Sequence, residues 1–157
     1  MSDQTVAEII AQALGWEEAH VSFDRATAEV PFHLQGERPP GLHHSPWELL
    51  EHIRITQRDI LEFCVNEAYT ELAWPAEYWP SVPGPDRPDA WGESVAMVKR
   101  DLEVLRSVVL EHADDLLWPV AGGTGQTLLR EVLLALDHMA YQIGQLVIVR
   151  QLLGIWG

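Results

Sequence analysis

A chain of 157 residues is the size of a single domain. With 47% apolar residues it can bury roughly two-thirds of its unfolded surface, so a core needs no staples. Ten Lys+Arg against 24 Asp+Glu leave a formal charge of −14, a field that repels phosphate backbones and anionic lipid and argues against nucleic-acid and membrane partners.

The one cysteine, Cys64, has no partner for an internal disulfide, which suits a reducing, cytoplasmic setting. Met1 to Ala13 has no basic region followed by an apolar stretch, so no signal peptide is expected. No run approaches ~18 uninterrupted apolar residues, so no membrane-spanning helix is expected either.

Taken in chain order, the first helical tract is Thr5 to Leu14, with Val6, Ile9, Ile10, Ala13 and Leu14 at helical spacing and Gly15 at its end. A second begins near Ser22 and runs to Val30 before Pro31; the pattern leaves open whether the two form one bent helix. Gln35 to Leu42 is a loop, since consecutive prolines and a glycine cannot continue a helix. Ser45-Pro46-Trp47-Glu48 then combines an N-cap serine, a first-turn proline and a capping-box glutamate, which predicts a helix to about Glu67.

Trp74 to Pro88 carries five prolines and three large aromatics. It reads as a long connection packed over one end of the domain and able to close a pocket. A third long helix is predicted over Ala90 to His112, striped by Val95, Val98, Leu102, Leu105 and Val109. A glycine-rich turn, Ala121 to Gly125, precedes the last, Leu128 to about Leu153, capped by Thr127 and terminated by Gly154. Its Leu146–Val149 run is rich in β-branched residues, yet length favours helix. Long amphipathic helices without β-alternation indicate an all-α, single-domain helical bundle over residues 1–157.

Seven histidines are the obvious source of chemistry. Two lie inside helices among apolar positions, each after an acidic residue: His52 after Glu51 and His138 after Asp137. Helical spacing groups His52 with Leu49, Ile53, Thr56 and Ile60, and His138 with Leu134, Tyr141, Gln142 and Gln145. Inward polar stripes on two helices must satisfy each other or bind something. Imidazoles facing across a bundle suit a metal site; two hydrogen-bonded core histidines explain the same pattern.

His44, beside His43 in a loop, and His20 are further candidates for the site's edge. Cys64 reads as a small buried hydrophobe. Gly122-Gly123-Thr124-Gly125 reads as a turn, since it lacks the lysine and preceding strand of a phosphate loop. The acidic residues are read as solvated faces.

The runs His43-His44-Ser45-Pro46-Trp47-Glu48-Leu49-Leu50-Glu51-His52, Gln57 to Phe63, Trp79-Pro80, Asp137 to Leu146 and Arg150 to Gly154 together resemble the DinB-like superfamily of bacterial four-helix bundles. The likeness covers most of the chain and is weakest over its first 15 or so residues. It implies a four-helix bundle with long connections and a short extra N-terminal helix.

It further implies a metal site of three histidines, one on the second bundle helix and two a turn apart on the last. His52 and His138 match the first two positions. The third falls on Gln142, a poorer, uncharged ligand for a borderline ion such as Ni or Zn. His20, His44 or water would be alternative completions, with Thr56, Tyr141 and Gln145 lining the pocket.

Some relatives implied by the resemblance are thiol-dependent transferases using a small thiol cofactor, and homodimers are favoured. Metal-assisted hydrolysis of a small-molecule substrate is a second enzymatic expectation. A non-catalytic homodimer with a relict site held by His52, His138 and Gln142 is the alternative; seven tryptophans supply material for an interface.

Overall fold

The computed structural model describes residues 5–157; residues 1–4, which open the stretch read as lacking a signal peptide, lie outside the described residues. The helices are α1 (Val6–Ala13), α2 (Phe23–Thr27), α3 (Phe32–Gln35), α4 (Pro46–Val65), α5 (Ala90–Glu111) and α6 (Leu128–Leu152), with a 3₁₀ turn at Ala76–Tyr78. Among the described residues there is no strand, only an isolated antiparallel bridge between Pro119 and Thr127. The protein is all-α.

The local signals act where the sequence puts them. Ser45 Oγ accepts from the Glu48 N–H (3.1 Å) while the Glu48 carboxylate accepts from the Ser45 N–H (2.8 Å), a complete capping box at the start of α4. Gly154 takes φ +71° just past α6, and the Ile155 N–H reaches back to the Arg150 carbonyl (3.0 Å), closing the helix end as a left-handed C-terminal residue does.

The N-terminal rod is broken: α1 stops at Leu14, residues 15–22 are irregular, and α2 starts afresh on the Ser22 cap. α2 ends at Thr27 instead of Val30. Thr27 Oγ1 donates to the Phe23 carbonyl (2.8 Å), Ala28 is extended, and Glu29 takes φ +52°. The short α3 lies in a stretch where no helix was expected.

Two apolar clusters fix the directions of the rods. One joins α1 (Ala7, Ala11) to the C-terminal half of α4 (Ile60, Leu61, Cys64), the C-terminal half of α5 (Leu105, Val109) and the N-terminal half of α6. The other joins α2 (Phe23, Ala26) to the N-terminal halves of α4 (Leu50, Ile53) and α5 (Trp91, Val98) and the C-terminal half of α6. So α4 and α5 run parallel, and α6 and the broken α1–α2 rod run antiparallel to them.

Several acidic residues are not solvated, contrary to the sequence reading. Glu48, Glu51, Asp101 and Glu131 are all buried. Glu51 accepts from Ser94 Oγ on α5 (2.5 Å) and is forked by Arg54 (2.8 and 2.7 Å), while Asp101 on α5 meets Arg58 (3.3 Å). These pairs advance by seven residues on both helices, a polar seam in parallel register. Each carboxylate is satisfied, which is the condition for burying it.

α6 is long and apolar enough to cross a bilayer by length and composition alone, although no uninterrupted apolar run announces it. Its apolarity also serves the core: Leu128, Val132, Leu146 and Val149 are all buried against the other helices.

Cys64 is fully buried against this core, and burial, helped by the nearby Glu131 charge, pushes its thiol up to about 12. The native protein should therefore not react with Ellman's reagent on the minutes scale, and should release one equivalent of thiol on denaturation. Prompt labelling of the native protein would contradict this packing.

Candidate metal centre

α4 and α6, antiparallel neighbours, bring His52 and His138 together across their interface. The two Nε2 atoms are 3.0 Å apart, with the rings edge to face at a centroid separation of 4.9 Å. His52 is buried and His138 half-buried. Gln142, one turn beyond His138 and also buried, places its amide nitrogen 3.5 Å from His138 Nε2.

The tautomer of His52 is decided by a backbone atom. Its Nδ1 lies 2.7 Å from the Tyr78 carbonyl, which can only accept, so Nδ1 carries the proton and donates. The Nε2 lone pair of the neutral ring therefore points at His138. Such a carbonyl behind an imidazole is the usual orienting partner of a metal-ligating histidine. The Tyr78 hydroxyl, and that of Tyr69, donate to Asp59 (2.7 and 2.9 Å), anchoring the carbonyl's residue to α4.

Trp79 covers His52. Its indole stacks on His52 (3.9 Å, 4° between planes) and on His44 (3.9 Å, 9°). The connection from Trp74 to Pro88 is seated by backbone contact: a Cβ added to Gly36 would lie 2.9 Å from Gly84 Cα, so only glycine permits these loops to touch. Ser45 Oγ also donates to the Pro83 carbonyl.

All three imidazoles are held neutral. Burial lowers His52, partly opposed by the Tyr78 carbonyl, and lowers His44. His138 falls from the ordinary 6.5 to about 4, mainly through burial, then through His52, with Asp137 opposing. The sign follows directly. Between about 4 and 6.5 the unfolded chain binds a proton at His138 that the folded chain refuses, so stability should be full above pH 6.5 and fall towards pH 4. Urea midpoints of wild type and His138→Gln across that window check this; parallel pH profiles would count against it.

The donor set fits a divalent ion. At the usual 2.0–2.1 Å bond length two nitrogens bound at about 90–110° on one ion sit roughly 2.8–3.4 Å apart, a range that includes the 3.0 Å His52–His138 separation. Gln142 Oε1 is buried with no hydrogen-bond partner, and so is Thr56 Oγ1, one turn along α4 from His52. Turning the amide would bring an oxygen, a legitimate ligand, towards the same point. Among the described residues no group of three His, Cys, Asp or Glu side chains is gathered for a metal, so an amide oxygen in third place is what the chain itself offers.

Other expectations separate. Tyr141 is 64% exposed: it follows His138 by three residues, and that step carries it beyond the edge of the buried face. Gln145 is half-buried. His20 is exposed, donates through Nδ1 to the Val21 carbonyl (2.8 Å), and lines a different cavity that neither His52 nor His138 lines. His44 joins the site's edge only through Trp79.

The glycine turn is a packing element. The Ala121 and Gly122 N–H groups donate to the Cys64 and Phe63 carbonyls (3.1 and 2.9 Å), so they cap α4 and are not free for a phosphate. What the sequence did not supply is the Tyr78 carbonyl, since a main-chain acceptor leaves no mark in residue type. The contact of Trp79 with His52 was foreshadowed only by the aromatic density of its segment.

Comparison of the chain with protein-family models, with curated proteins and with solved structures returns no match.

Proposed function

We propose that this chain is a divalent-metal-dependent enzyme on a DinB-like four-helix bundle, with α1–α2 as a broken first rod and His52, His138 and Gln142 holding Zn or Ni. The observation that carries the reading is the Nε2–Nε2 approach of 3.0 Å between two neutral imidazoles, one fixed in the ligating tautomer by a carbonyl. When bound, the ion would supply Lewis-acid activation of a thiol or a water.

The chain's own residues do the rest. Because His52 and His138 are neutral at neutral pH, each carrying a single ring proton, no second proton competes with the ion for the remaining lone pair. Trp79, stacked between His52 and His44, shields one face of the His52 imidazole from water. Thr56 Oγ1, one turn along α4 from His52, has no hydrogen-bond partner and is free to donate or accept. Thiol-dependent group transfer, with a small thiol as cofactor, is the reaction class we favour, and metal-assisted hydrolysis is the other. The cytoplasm, where thiols stay reduced, is the matching compartment.

Protein purified without chelators should carry close to one equivalent of Zn or Ni per chain by elemental analysis, and His52→Ala should lose it. Adding Zn to the stripped protein at 100 times Kd should stabilise it by about 2.7 kcal/mol, a Tm rise of roughly 5–11 °C at this chain length. Metal-free protein whose Tm ignores both ions would overturn the reading.

A second reading, a homodimer with a relict site, draws on α6. Leu134, Tyr141, Ile148 and Leu152 are exposed along one side of that helix, and His138 Nε2–H donating to His52 Nε2 would satisfy the pair without metal. A dimer by sedimentation together with no bound metal is the outcome that favours it.

A further inference from the structure

We propose that the cavity enclosed by the α1–α2 connection, α5 and α6 is a separate ligand site for an organic molecule with an apolar body and a protonated amine. Its volume is about 460 Å³, within the range of small-molecule sites between helices (roughly 300–1,000 Å³). The interruption of the first rod supplies part of its wall: Gly15, Trp16, Glu17, His20 and Ser22, from the irregular stretch 15–22, line it. Gly15 allows that departure beside Arg106, whose Nη2 would lie 2.7 Å from any Cβ placed there.

The floor is apolar, formed by Leu14, Phe23, Leu102, Leu136, Met139 and Ile143. The rim decides the ligand's charge. Glu17, Asp24, Glu103 and Asp137 face two cations, Lys99 and Arg106, and both cations are engaged. Lys99 Nζ pairs with Asp24 (3.0 Å), and Arg106 donates to the Ala11 carbonyl (2.9 Å) and to Glu103.

Among the described residues Glu17 and Asp137 belong to no ion pair. His20, also on the rim, donates its Nδ1–H to the Val21 carbonyl. Through those two carboxylates the rim offers acceptors and negative charge. An anionic head would be repelled here, by the rim and by the protein's net charge of −14 alike.

Fluorescence titration with dansylcadaverine, an apolar fluorophore bearing a primary amine, tests this, with dansylglycine as the carboxylate counterpart. Saturable, blue-shifted binding of the amine, at least tenfold tighter than of the acid, is expected. Ala140→Trp, which fills the cavity wall, should abolish it. The surface double variant Glu17→Gln/Asp137→Asn should weaken it several-fold at low salt and leave the fold intact. Binding should persist in His52→Ala, so the result stands apart from that of the metal experiment. Absence of saturation, equal binding of both probes, or indifference to the double variant would overturn the proposal.

Discussion

Gln142→His should tighten zinc binding at least tenfold, a gain of about 1.4 kcal/mol, measured by competition against a chromophoric chelator. Gln142 is buried one turn beyond His138, with its amide 3.5 Å from His138 Nε2, so a ring at that position starts from the same face and depth. An imidazole nitrogen is a stronger donor to a borderline ion than a neutral amide oxygen. It also removes the unpartnered buried Oε1, which costs free energy whenever no ion is present. The matching loss is Gln142→Leu, in which affinity should fall while the fold persists. Equal zinc affinity in all three proteins would mean that α6 contributes only His138, and the proposed ligand set would be wrong.

Arg150→Ala should have the largest effect on stability among single changes outside the apolar core. The guanidinium is buried at the end of α6. Nη1 donates to the Arg25 and Ala26 carbonyls (3.1 and 2.7 Å), and Nη2 to the Ile155 carbonyl (3.1 Å). Its plane also approaches the Trp156 ring, 5.0 Å from the centroid. Those contacts tie α2 to the last helix and to the residues beyond it. Truncation orphans the buried Ala26 carbonyl and strips a partner from two part-buried ones, costing about 3 kcal/mol, a Tm loss of roughly 6–12 °C at this length. Arg150→Lys should recover little, since one ammonium cannot span both groups of acceptors. A loss below ~1 kcal/mol would show that water replaces the guanidinium readily.

The long helices were legible because their ends carry their own chemistry. Ser45, Pro46 and Glu48 announce α4, and Gly154 announces the stop of α6. The break at residues 15–22 was only half legible, since Gly15 and Ser22 mark its edges while Trp16 to His20 suit either state. The buried acids were misread for a different reason. Periodicity gives the face a residue occupies, not whether a neighbouring helix brings a partner, and Ser94 lies 43 positions from Glu51.

The candidate site divides in the same way. His52, His138 and Gln142 stand out as polar residues at apolar positions. Tyr141 was grouped with them by spacing, yet on a helix a shift of one side-chain position is enough to turn a ring into water. The Tyr78 carbonyl and the Trp79 stack depend on the path of an irregular segment, which no residue spacing encodes.

That path has a geometric origin. Two adjacent rods pointing the same way oblige the polypeptide to travel back along the whole of α4, about 30 Å for 20 residues, before α5 can begin. The homeward strand has to lie somewhere, and here it is laid across the imidazoles as a roof. Shelter for the histidines is thus a by-product of wiring: an analogue rewired so that these neighbours alternated in direction could join them by a short hairpin, and would leave His52 open to the sky.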